Sequence, residues 1–493
     1  MNGRSWRACA AACALTCACA VEPGADGADH VVAEIAVIPT GVQCVRVVVT
    51  PAGGAAVTAT ATVTAGTNAT VDLGAVAEGS ATLAADAFTV ACAAVTTTTE
   101  PAWVADPAAT VIRRGYLNAV SLTFRPQTQV RVTGDFVVPV RSIFAGTDRT
   151  YAVLQDGSLR AWGSNDTASL GDGTSVARVS PVAIGGVSAV RQVAAGLQHT
   201  CAITESGQTW CWGNNANLQS GLAAGTSSSV PALVPGVPAM QSITAGQAYT
   251  CALSRSPSSP TVTTLWCWGS NSSGQFGNGT TAASVAPTAV YGGASDVVAR
   301  DSTTCLLTPG LDVWCAGLNT FGQFANGGSA PSTSFTGSQF YRPEQVSVGG
   351  NGFSCARNLA GEVRCAGNNA SGQLGVGSTM NSLVPVLTPL SDVVQVETGT
   401  EFACALKGDG TVWCWGRNDF GSVGVPSNSS AALNVTSPVQ VAGLADVAQL
   451  ALGARHACAL KGDGTVWCWG RNHAGQLGDG TARNRFAPTR VAF

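Results

Sequence analysis

A segment of fifteen residues, CALKGDGTVWCWGRN, occurs twice in this chain without a change, at 404–418 and at 458–472. Five more divergent copies lie upstream, and successive copies are 50, 56, 48, 50, 49 and 54 residues apart. Internal repetition at a near-constant period is typical of repeat architectures. Seven units of about fifty residues predict a closed radial array, and each copy ends at a glycine: Gly163, Gly213, Gly269, Gly317, Gly367, Gly416 and Gly470.

Each unit can be divided into four short β-strands, and two of them form a hairpin that carries two cysteines. In one identical copy Cys404 and Cys414 are symmetric about Asp409, at the centre of a three-residue Gly-Asp-Gly turn. Cysteines that face each other on adjacent antiparallel strands lie within reach of a disulfide bond. Six such bonds are predicted: Cys201/Cys211, Cys251/Cys267, Cys305/Cys315, Cys355/Cys365, Cys404/Cys414 and Cys458/Cys468.

The first unit supports this pairing because it lacks both cysteines at once. Tyr151 and Ala161 occupy the two positions. Joint loss is expected of a bonded pair, whereas independent core thiols would vary separately. Disulfides on this scale indicate an oxidising compartment.

The two ends of the array are offset by one strand. It begins at 140–146 with the second strand of a unit and ends at 487–491 with the first strand of a unit. We therefore predict that the C-terminal strand completes the first blade and closes the ring, which removes the exposed sheet edge. Residues 141–493 are predicted to form a seven-bladed β-propeller in an all-β protein.

Residues 31–140 contain no copy of the repeat. Their alternating Val, Thr and Ala residues between Gly, Pro and Asn turns predict about seven short antiparallel strands. The expected product is a β-sandwich that is immunoglobulin-like in broad shape. Cys44 and Cys92 are the only cysteines of this segment and are predicted to pair.

The first twenty residues resemble an export signal, with Arg4 and Arg7 before a short apolar segment and a small-residue cleavage site. Cleavage after Ala20 would leave 14 of the 18 cysteines, which is the number in the seven predicted pairs. Alternatively, Cys19 becomes the lipidated first residue of a lipoprotein. Residues 21–30 are predicted to be a short linker in either case. Both routes predict an exported protein at the cell surface, in the outer membrane or outside the cell.

Charge argues against a nucleic-acid partner. The formal net charge is −3, and charged residues make up only 11% of the chain. From Ile143 onward there are 17 basic and 18 acidic residues. A protein that neutralises many phosphates needs a basic face, and this composition supplies none.

The candidates for catalysis and ligand binding have structural interpretations. His199 and His456 occupy a repeat position that elsewhere holds Arg, Tyr, Thr or Phe, which indicates packing. The Gly-Asp-Gly-Thr segments at 171–174 and 478–481 supply one Asp each, too few for calcium. The two tryptophans of each tandem pair are two residues apart, so strand alternation places both on the same face of the sheet. They are predicted to pack between blades. We predict no catalytic, cofactor or metal residues and no enzyme activity, because a channel enzyme would need clustered acids or histidines on the inner strands.

The repeats resemble the regulator of chromosome condensation repeat family in 195–202, 212–215 and 475–481. This resemblance implies a seven-bladed β-propeller over 141–493. The resemblance is incomplete in the fourth unit, where residues 297–302 stand in place of the segment that ends in Ala-Gly in other units. Both the fourth and the fifth unit also lack the Trp-Gly pair. The nuclear founder of the family binds chromatin and promotes nucleotide exchange on a GTPase, roles that the charge and the export signal argue against here. Other members are protein-binding scaffolds, and one secreted bacterial member inhibits β-lactamases through loops at one end of the ring.

The segments that vary between copies are the loops, and recognition is expected there. The longest and most aromatic is 321–341, and the predicted partner contacts are Phe335, Phe340, Tyr341 and Arg342. We predict a monomeric, non-enzymatic binding scaffold, exported or at the cell surface, that recognises a protein through its propeller loops. The alternatives are a module that binds a carbohydrate or polymer through exposed aromatic residues, and an inhibitor of a secreted hydrolase.

Overall fold

The structure is a computed structural model that describes residues 17–23, 29–35, 43–51, 56–63, 69–72, 79–88, 92–95, 103–113, 116–117, 125–126, 139–256, 259–425 and 434–493. The chain divides into two compact units, Met1–Val137 and Val138–Phe493. Residues 1–16 of the predicted export signal lie outside the described residues. The helices in the described part of the chain amount to one short 3-10 turn, Cys92–Ala94, and none could cross a membrane.

The first unit contains two antiparallel sheets. One has the order β1-β2-β5, and the other has the order β4-β3-β6-β7-β8 with β9 paired to β7. Inward-facing Val45, Val47 and Val49 are buried on β3, as strand alternation requires. That the two sheets form an immunoglobulin-like sandwich stays a prediction. The strands are β1 (Cys17–Pro23), β2 (Asp29–Ile35), β3 (Cys44–Pro51), β4 (Val57–Thr62), β5 (Ala69–Asp72), β6 (Gly79–Phe88), β7 (Trp103–Arg113), β8 (Tyr116–Leu117) and β9 (Arg125–Pro126).

The predicted bond between Cys44 and Cys92 is present, with Cα atoms 5.0 Å apart. Cys92 lies in the 3-10 turn and not in a strand. The disulfide therefore attaches the chain after β6 to the first residue of β3. Cys19 lies on β1, which pairs with β2, and its lipidation stays a prediction.

The second unit consists of seven four-stranded antiparallel sheets, which we call blades 1 to 7 in chain order. In each blade the first strand is the inner strand, and the inner strands of successive blades lie side by side. The strands are β10 (Val140–Ala145), β11 (Arg149–Leu154), β12 (Leu159–Gly163), β13 (Arg178–Ile184); β14 (Val190–Ala195), β15 (His199–Thr204), β16 (Thr209–Gly213), β17 (Ser228–Leu233); β18 (Met240–Ala245), β19 (Tyr249–Ser256), β20 (Ser259–Gly269), β21 (Ser284–Gly292); β22 (Asp296–Arg300), β23 (Thr303–Leu307), β24 (Val313–Gly317), β25 (Ser332–Gly337); β26 (Pro343–Gly349), β27 (Phe353–Asn358), β28 (Val363–Gly367), β29 (Ser382–Leu387); β30 (Val393–Thr398), β31 (Phe402–Lys407), β32 (Val412–Arg417), β33 (Asn434–Gln440); β34 (Val447–Leu452), β35 (His456–Lys461), β36 (Val466–Gly470) and β37 (Arg485–Arg490).

The seven-bladed propeller is confirmed, but the predicted closure by the C-terminal strand was wrong. Strand β37 pairs with β36 in blade 7, and blade 1 is already complete with β13. Each outer strand pairs with the strand that immediately precedes it, which costs less loop-closure entropy than pairing across the whole ring. The ring closes through β10 and β34, where the Gln449 side chain bonds both the N–H and the C=O of Ile143 at 3.0 Å.

Packing between blades explains the cysteine and tryptophan pattern. The buried cluster between blades 2 and 3 joins the Cys201–Cys211 disulfide to Trp268 of the next blade. The cluster between blades 7 and 1 joins the Cys458–Cys468 disulfide to Trp162. The second tryptophan of each tandem pair is fully buried in this way, and the first is half-buried beside it, as predicted.

All six predicted blade disulfides are present, and their Cα atoms are 4.0 to 4.2 Å apart. In every case the two cysteines are direct partners in the register of the second and third strands, as the spacing predicts. The bonds, in blades 2 to 7, are Cys201–Cys211, Cys251–Cys267, Cys305–Cys315, Cys355–Cys365, Cys404–Cys414 and Cys458–Cys468.

The disulfide is kept at the same position when the hairpin is longer and when the neighbouring tryptophan is replaced. Cys251 and Cys267 are 16 residues apart instead of 10, because β19 and β20 extend their hairpin beyond the bond. Cys315 and Cys365 are each followed by an alanine, Ala316 and Ala366, where the other cysteine-bearing blades have tryptophan. The bond therefore persists in the two blades that lack the Trp-Gly pair.

Blade 1 shows that the same geometry accepts a noncovalent substitute. The buried Tyr151 takes the place of the first cysteine, opposite Ala161. Its hydroxyl donates to the Ser169 carbonyl and contacts the Thr200 hydroxyl at 2.9 Å. The contact with Thr200 links blade 1 to blade 2, and the Ser169 contact holds the Tyr151 ring to the long loop of its own blade.

The connections lie at two ends of each blade. One end, which we call the loop end, carries the turn after the inner strand and the long loop before the outer strand. The other, the hairpin end, carries the hairpin turn and the connection to the next blade. This arrangement follows from four antiparallel strands in sequence order.

One buried asparagine per blade organises the long loop. In blade 5 the Asn369 amide donates to the carbonyls of Ser378 and Met380 at 2.9 Å, and its oxygen accepts the N–H of Leu374 at 2.9 Å. The same bond to the backbone five residues further on recurs in all seven blades: Asn165, Asn215, Asn271, Asn319, Asn369, Asn418 and Asn472. The long loops are therefore held by the side chains of the blades that carry them.

Replacement of Asn369 by alanine is expected to lower the free energy of unfolding by about 3 kcal/mol, because the buried N–H of Leu374 and the part-buried carbonyls of Ser378 and Met380 lose their partner. Urea denaturation measures the effect. The matched control is Asn217→Ala, because Asn217 is an exposed loop asparagine whose side chain forms no hydrogen bond with the described residues, and its expected change is within about 0.5 kcal/mol. Equal losses in the two variants would contradict the assignment.

Candidate functional site

The inner strands enclose a channel of about 680 Å³. One position on each inner strand faces the inner strand of the next blade, and four blades place a glutamine there. Gln192, Gln345, Gln395 and Gln449 each bond the backbone of one residue in a neighbouring blade, at 2.8 to 3.2 Å. The full set at this position is Ser142, Gln192, Ser242, Asp296, Gln345, Gln395 and Gln449.

Three charged residues depart from the repeat pattern on these strands. Asp296 takes the glutamine position in blade 4. Arg300 follows in the same strand, where most blades have glycine. Glu397 in blade 6 takes a position that elsewhere holds uncharged residues such as Ala194.

Arg300 reaches across the ring. Its Nη1 donates to the carbonyl of Thr398 in blade 6 at 3.2 Å and, more weakly, to that of Leu452 in blade 7 at 3.4 Å. Burial lowers the pKa of the guanidinium, and the nearby charges of Asp301 and Glu397 oppose that shift. The side chain remains a cation at any physiological pH.

The Glu397 carboxylate is held by two of the glutamine amides. Its Oε1 accepts from Gln395 at 3.0 Å and from Gln345 at 3.3 Å. Burial raises its pKa to about 7, although the Gln395 bond and the Arg300 charge favour the ionised form. Burial also raises the pKa of Asp296. The two acids occupy different repeat positions, because Asp296 pairs with Leu307 and Glu397 pairs with Cys404.

Arg300 and Glu397 line the same channel without forming an ion pair. Among the described residues, neither takes part in a charge pair within 4.0 Å. Each is bonded instead to fixed protein groups, which keeps the two opposite charges apart. This arrangement can bind a small polar molecule.

The histidine position joins neighbouring blades. His199 Nε2 lies 2.8 Å from the Thr250 hydroxyl of the next blade, and His456 Nε2 lies 3.0 Å from the Thr150 hydroxyl. Both rings are fully buried, and burial lowers their pKa values to about 3 and about 4. They are neutral at pH 7 and serve in packing.

The residue that contacts the histidine position from the next blade varies together with the residue at that position. The polar residues Arg149, His199, Tyr249 and His456 each meet a threonine of the next blade. Phe353 and Phe402 instead share buried clusters with Ala403 and Ala457 of their next blades. In these six blades the pair is either polar or apolar throughout, which explains why one position tolerates such different residues.

A line of polar side chains crosses blades 4 to 7 at the loop end. The Asn351 N–H donates to Asp301 at 3.0 Å, and the Asn351 amide donates to Glu401 at 2.9 Å. Glu401 and Asp419 both pair with Arg417 and Arg455 at 2.8 to 3.5 Å. The guanidinium groups of Arg455 and Arg471 lie over the Phe420 ring, 5.4 and 5.1 Å from its centre. We call this line the loop-end ridge.

The predicted contact residues do not form one surface. Phe340 is 7% exposed in the core between blades 4 and 5, so its prediction as a contact was wrong: an aromatic ring after an outer strand fills the gap between blades. Phe335 packs edge to face against Tyr291, with ring centres 5.2 Å apart. Tyr341 is 68% exposed, and Arg342 beside it is exposed at the hairpin end.

The Gly-Asp-Gly-Thr segments are internally bonded turns. Asp172 accepts from Thr174 and Arg178, and Asp479 accepts from Thr481 and Arg485. These bonds outweigh burial and lower the pKa of both carboxyl groups. Within the described ranges no group of three potential ligands is placed to hold a metal ion.

Only part of this site carried a signal in the sequence. The replacement of the Ala-Gly step at 297–302 marked the strand of Arg300 as irregular. In a comparison of equivalent positions of the seven repeats, Glu397 and Asp296 would each appear only as a single acid among uncharged residues. The loop-end ridge joins loops and turns of four blades, and no local pattern predicts it.

Seven four-stranded sheets around a central channel define a seven-bladed β-propeller. The model of the regulator of chromosome condensation (RCC1) repeat matches residues 156–203, 206–253, 360–406, 409–460 and 463–493. A second model of this repeat matches 190–219, 393–422 and 447–476. RCC1-type repeats are therefore present in the propeller, in agreement with the resemblance seen in the sequence. The matched segments omit 254–359, which contains Asp296 and Arg300.

Solved structures share this fold. Human WBSCR16 is 22% identical, with a TM-score of 0.59 over 68% of this chain and 95% of that one. Prp20p from Saccharomyces cerevisiae is 18% identical, with a TM-score of 0.60 over 72% of this chain and 87% of that one. Yeast RCC1 (Prp20) bound to Kap60 is 16% identical, with a TM-score of 0.60 over 74% and 90%.

Proposed function

We propose that this protein is a non-enzymatic scaffold that binds a protein partner through the loop end of its propeller. RCC1-type propellers commonly mediate protein interactions. Prp20p has binding properties toward Gsp1p and histones, and yeast RCC1 (Prp20) forms a complex with Kap60. Those partners are not transferred here, because the likeness at 16 and 18% identity concerns the fold.

The loop-end ridge is the observation that carries this proposal. It joins four blades through charged and amide side chains whose positions are fixed by mutual bonds. Exposed apolar side chains lie in the long loops of the same end, including Met380 at 79% and Phe321 at 37% exposure. A rigid surface that combines charged groups with exposed apolar residues suits protein recognition, since little conformational entropy is lost on binding.

The proposed location is outside the reducing cytoplasm. Seven disulfides suggest an oxidising environment. We include in the proposal the export signal over 1–20, the alternative lipid anchor at Cys19, and a β-sandwich that presents the propeller. Mass spectrometry of the mature N-terminus separates the two processing routes, because an unmodified Val21 would exclude the anchor.

The experiment compares two matched double variants of the full chain. Met380→Ser with Arg471→Ser changes one apolar and one basic residue at the loop end, and Tyr341→Ser with Arg342→Ser changes one aromatic and one basic residue at the hairpin end. Partners are recovered from the producing cells by cross-linking and quantified by mass spectrometry. We expect at least a tenfold lower recovery of a specific partner for the loop-end variant only. Loss confined to the hairpin-end variant would overturn the proposed face and support the predicted contacts at Tyr341 and Arg342.

The carbohydrate alternative depends on Tyr341 and the exposed Trp314, because Phe340 is buried. Glycan-array binding by the full chain that is lost in Tyr341→Ser would favour this alternative. Inhibition of a secreted hydrolase is a narrower form of the protein-binding proposal, and a hydrolase among the recovered partners would identify it.

A further inference from the structure

Three charged residues of the described chain line the central channel: Arg300, Asp301 and Glu397. Asp301 already accepts the Asn351 N–H of the loop-end ridge, whereas Arg300 and Glu397 carry opposite charges that the propeller repeat does not need. Most other blades place glycine where blade 4 has Arg300, and blades 2 and 7 place alanine where blade 6 has Glu397. Those blades form the same four-stranded sheet. Enclosing a charge within a protein costs free energy unless it is compensated. The folding of the ring therefore does not account for either residue.

Both groups are oriented in advance and still have free bonding capacity. Arg300 is held through Nη1 alone, by the two backbone carbonyls across the channel. Glu397 is held through Oε1 alone, by two amides. In the described residues, no protein partner is bonded to Nε or Nη2 of Arg300 or to Oε2 of Glu397. None of these three atoms is among the fully buried polar atoms that lack a partner. These atoms are open to the channel.

The channel has the size and the access that a small ligand requires. Its volume of about 680 Å³ falls within the range of roughly 300–1,000 Å³ that is typical of small-molecule sites. Its lining extends to Gly146, Leu197, Gln247 and Thr400, which lie in turns at the loop end. A ligand can therefore enter from that side.

We propose that the channel binds a small zwitterion of the free amino acid class, whose carboxylate pairs with Arg300 and whose ammonium group pairs with Glu397. Guanidinium groups bind carboxylates through two parallel N–H donors. A ligand that carries one charge of each sign satisfies both channel groups, whereas a simple anion or cation satisfies one and is repelled by the other. This inference is independent of the proposed protein-binding function.

The test is isothermal titration calorimetry of the full-length protein at pH 8, where Glu397 is largely ionised. The probes are the twenty free amino acids, with propionate and propylamine as ligands that carry only one of the two charges. The variants are Arg300→Gly, which restores the residue of the other blades, and Glu397→Gln. The matched controls are Arg255→Gly and Glu362→Gln, at positions outside the channel lining.

We expect saturable binding of at least one amino acid, at least tenfold weaker binding of propionate and propylamine, and at least a tenfold loss in both channel variants. The controls should bind like the unchanged protein. Circular dichroism confirms that each variant remains folded. Absence of binding for all twenty amino acids, or equal binding by Arg300→Gly and the unchanged protein, would overturn the proposal.

Discussion

Complete reduction of the blade disulfides is expected to unfold the propeller at room temperature. By the chain-entropy model, closing a loop of about ten residues contributes roughly 2.7 kcal/mol. Six such bonds, at separations of 10 and 16 residues, together approach or exceed the roughly 5–15 kcal/mol by which domains are usually stable. The measurement is far-ultraviolet circular dichroism with and without a phosphine reductant, after alkylation of the released thiols.

A single bond can be removed as a graded test. The double change Cys404→Ala with Cys414→Ala is expected to lower the free energy of unfolding by about 2–4 kcal/mol. Blade 1 is the natural control, because it folds around Tyr151 and Ala161 without a disulfide. A fully reduced and alkylated protein with an unchanged melting temperature would show that the disulfides do not stabilise the ring.

Lowering the pH from 6.5 to 4 is expected to destabilise the propeller through its two buried histidines. Their folded pKa values of about 3 and about 4 lie below the value near 6.5 of an unfolded chain. The unfolded chain therefore binds more protons in this interval. The stabilisation is fully present above pH 6.5 and is lost as the pH falls. The loss at pH 4 is up to about 3 kcal/mol for each histidine.

The repeat itself supplies a substitution that removes this dependence. Blades 5 and 6 pair phenylalanine with alanine at this position, so His199→Phe with Thr250→Ala reproduces an arrangement the fold already accepts. The double variant should lose about half of the acid sensitivity in urea denaturation at pH 7, 5.5 and 4. An unchanged pH dependence would contradict the assignment to His199.

Glu397 has the opposite effect to the histidines on the change of stability with pH. Its folded pKa of about 7 lies above the value near 4.3 of an unfolded chain. The folded protein therefore holds more protons between those values, and this contribution makes the protein less stable as the pH rises through the interval. Glu397→Gln removes it, so the stability of that variant should decline more steeply below pH 6.5 than that of the unchanged protein.

The parts of the fold that the sequence predicts correctly are those whose signals are local. The two cysteines of each blade are 10 or 16 residues apart on adjacent strands, so spacing alone identifies the pairs. The tandem tryptophans reveal their packing through simple alternation. The prediction that the C-terminal strand completes blade 1 was wrong. A one-strand offset between the two ends of the array fits both a last strand in blade 1 and a last strand in blade 7. The prediction for Phe340 was wrong because an aromatic residue in a loop resembles a surface contact until the next blade covers it.

The sequence by itself determined the repeat and the blade disulfide pairs, because each depends on residues within one fifty-residue unit, and it determined the number of blades, which is the count of those units. Only the tertiary structure decided which strand completes which blade, and only it brought Arg300 near Glu397 in the channel. Arg300 bonds backbone carbonyls 98 and 152 residues further along the chain. Contacts of that range arise from closure of the ring, which turns isolated departures in separate repeats into one shared site.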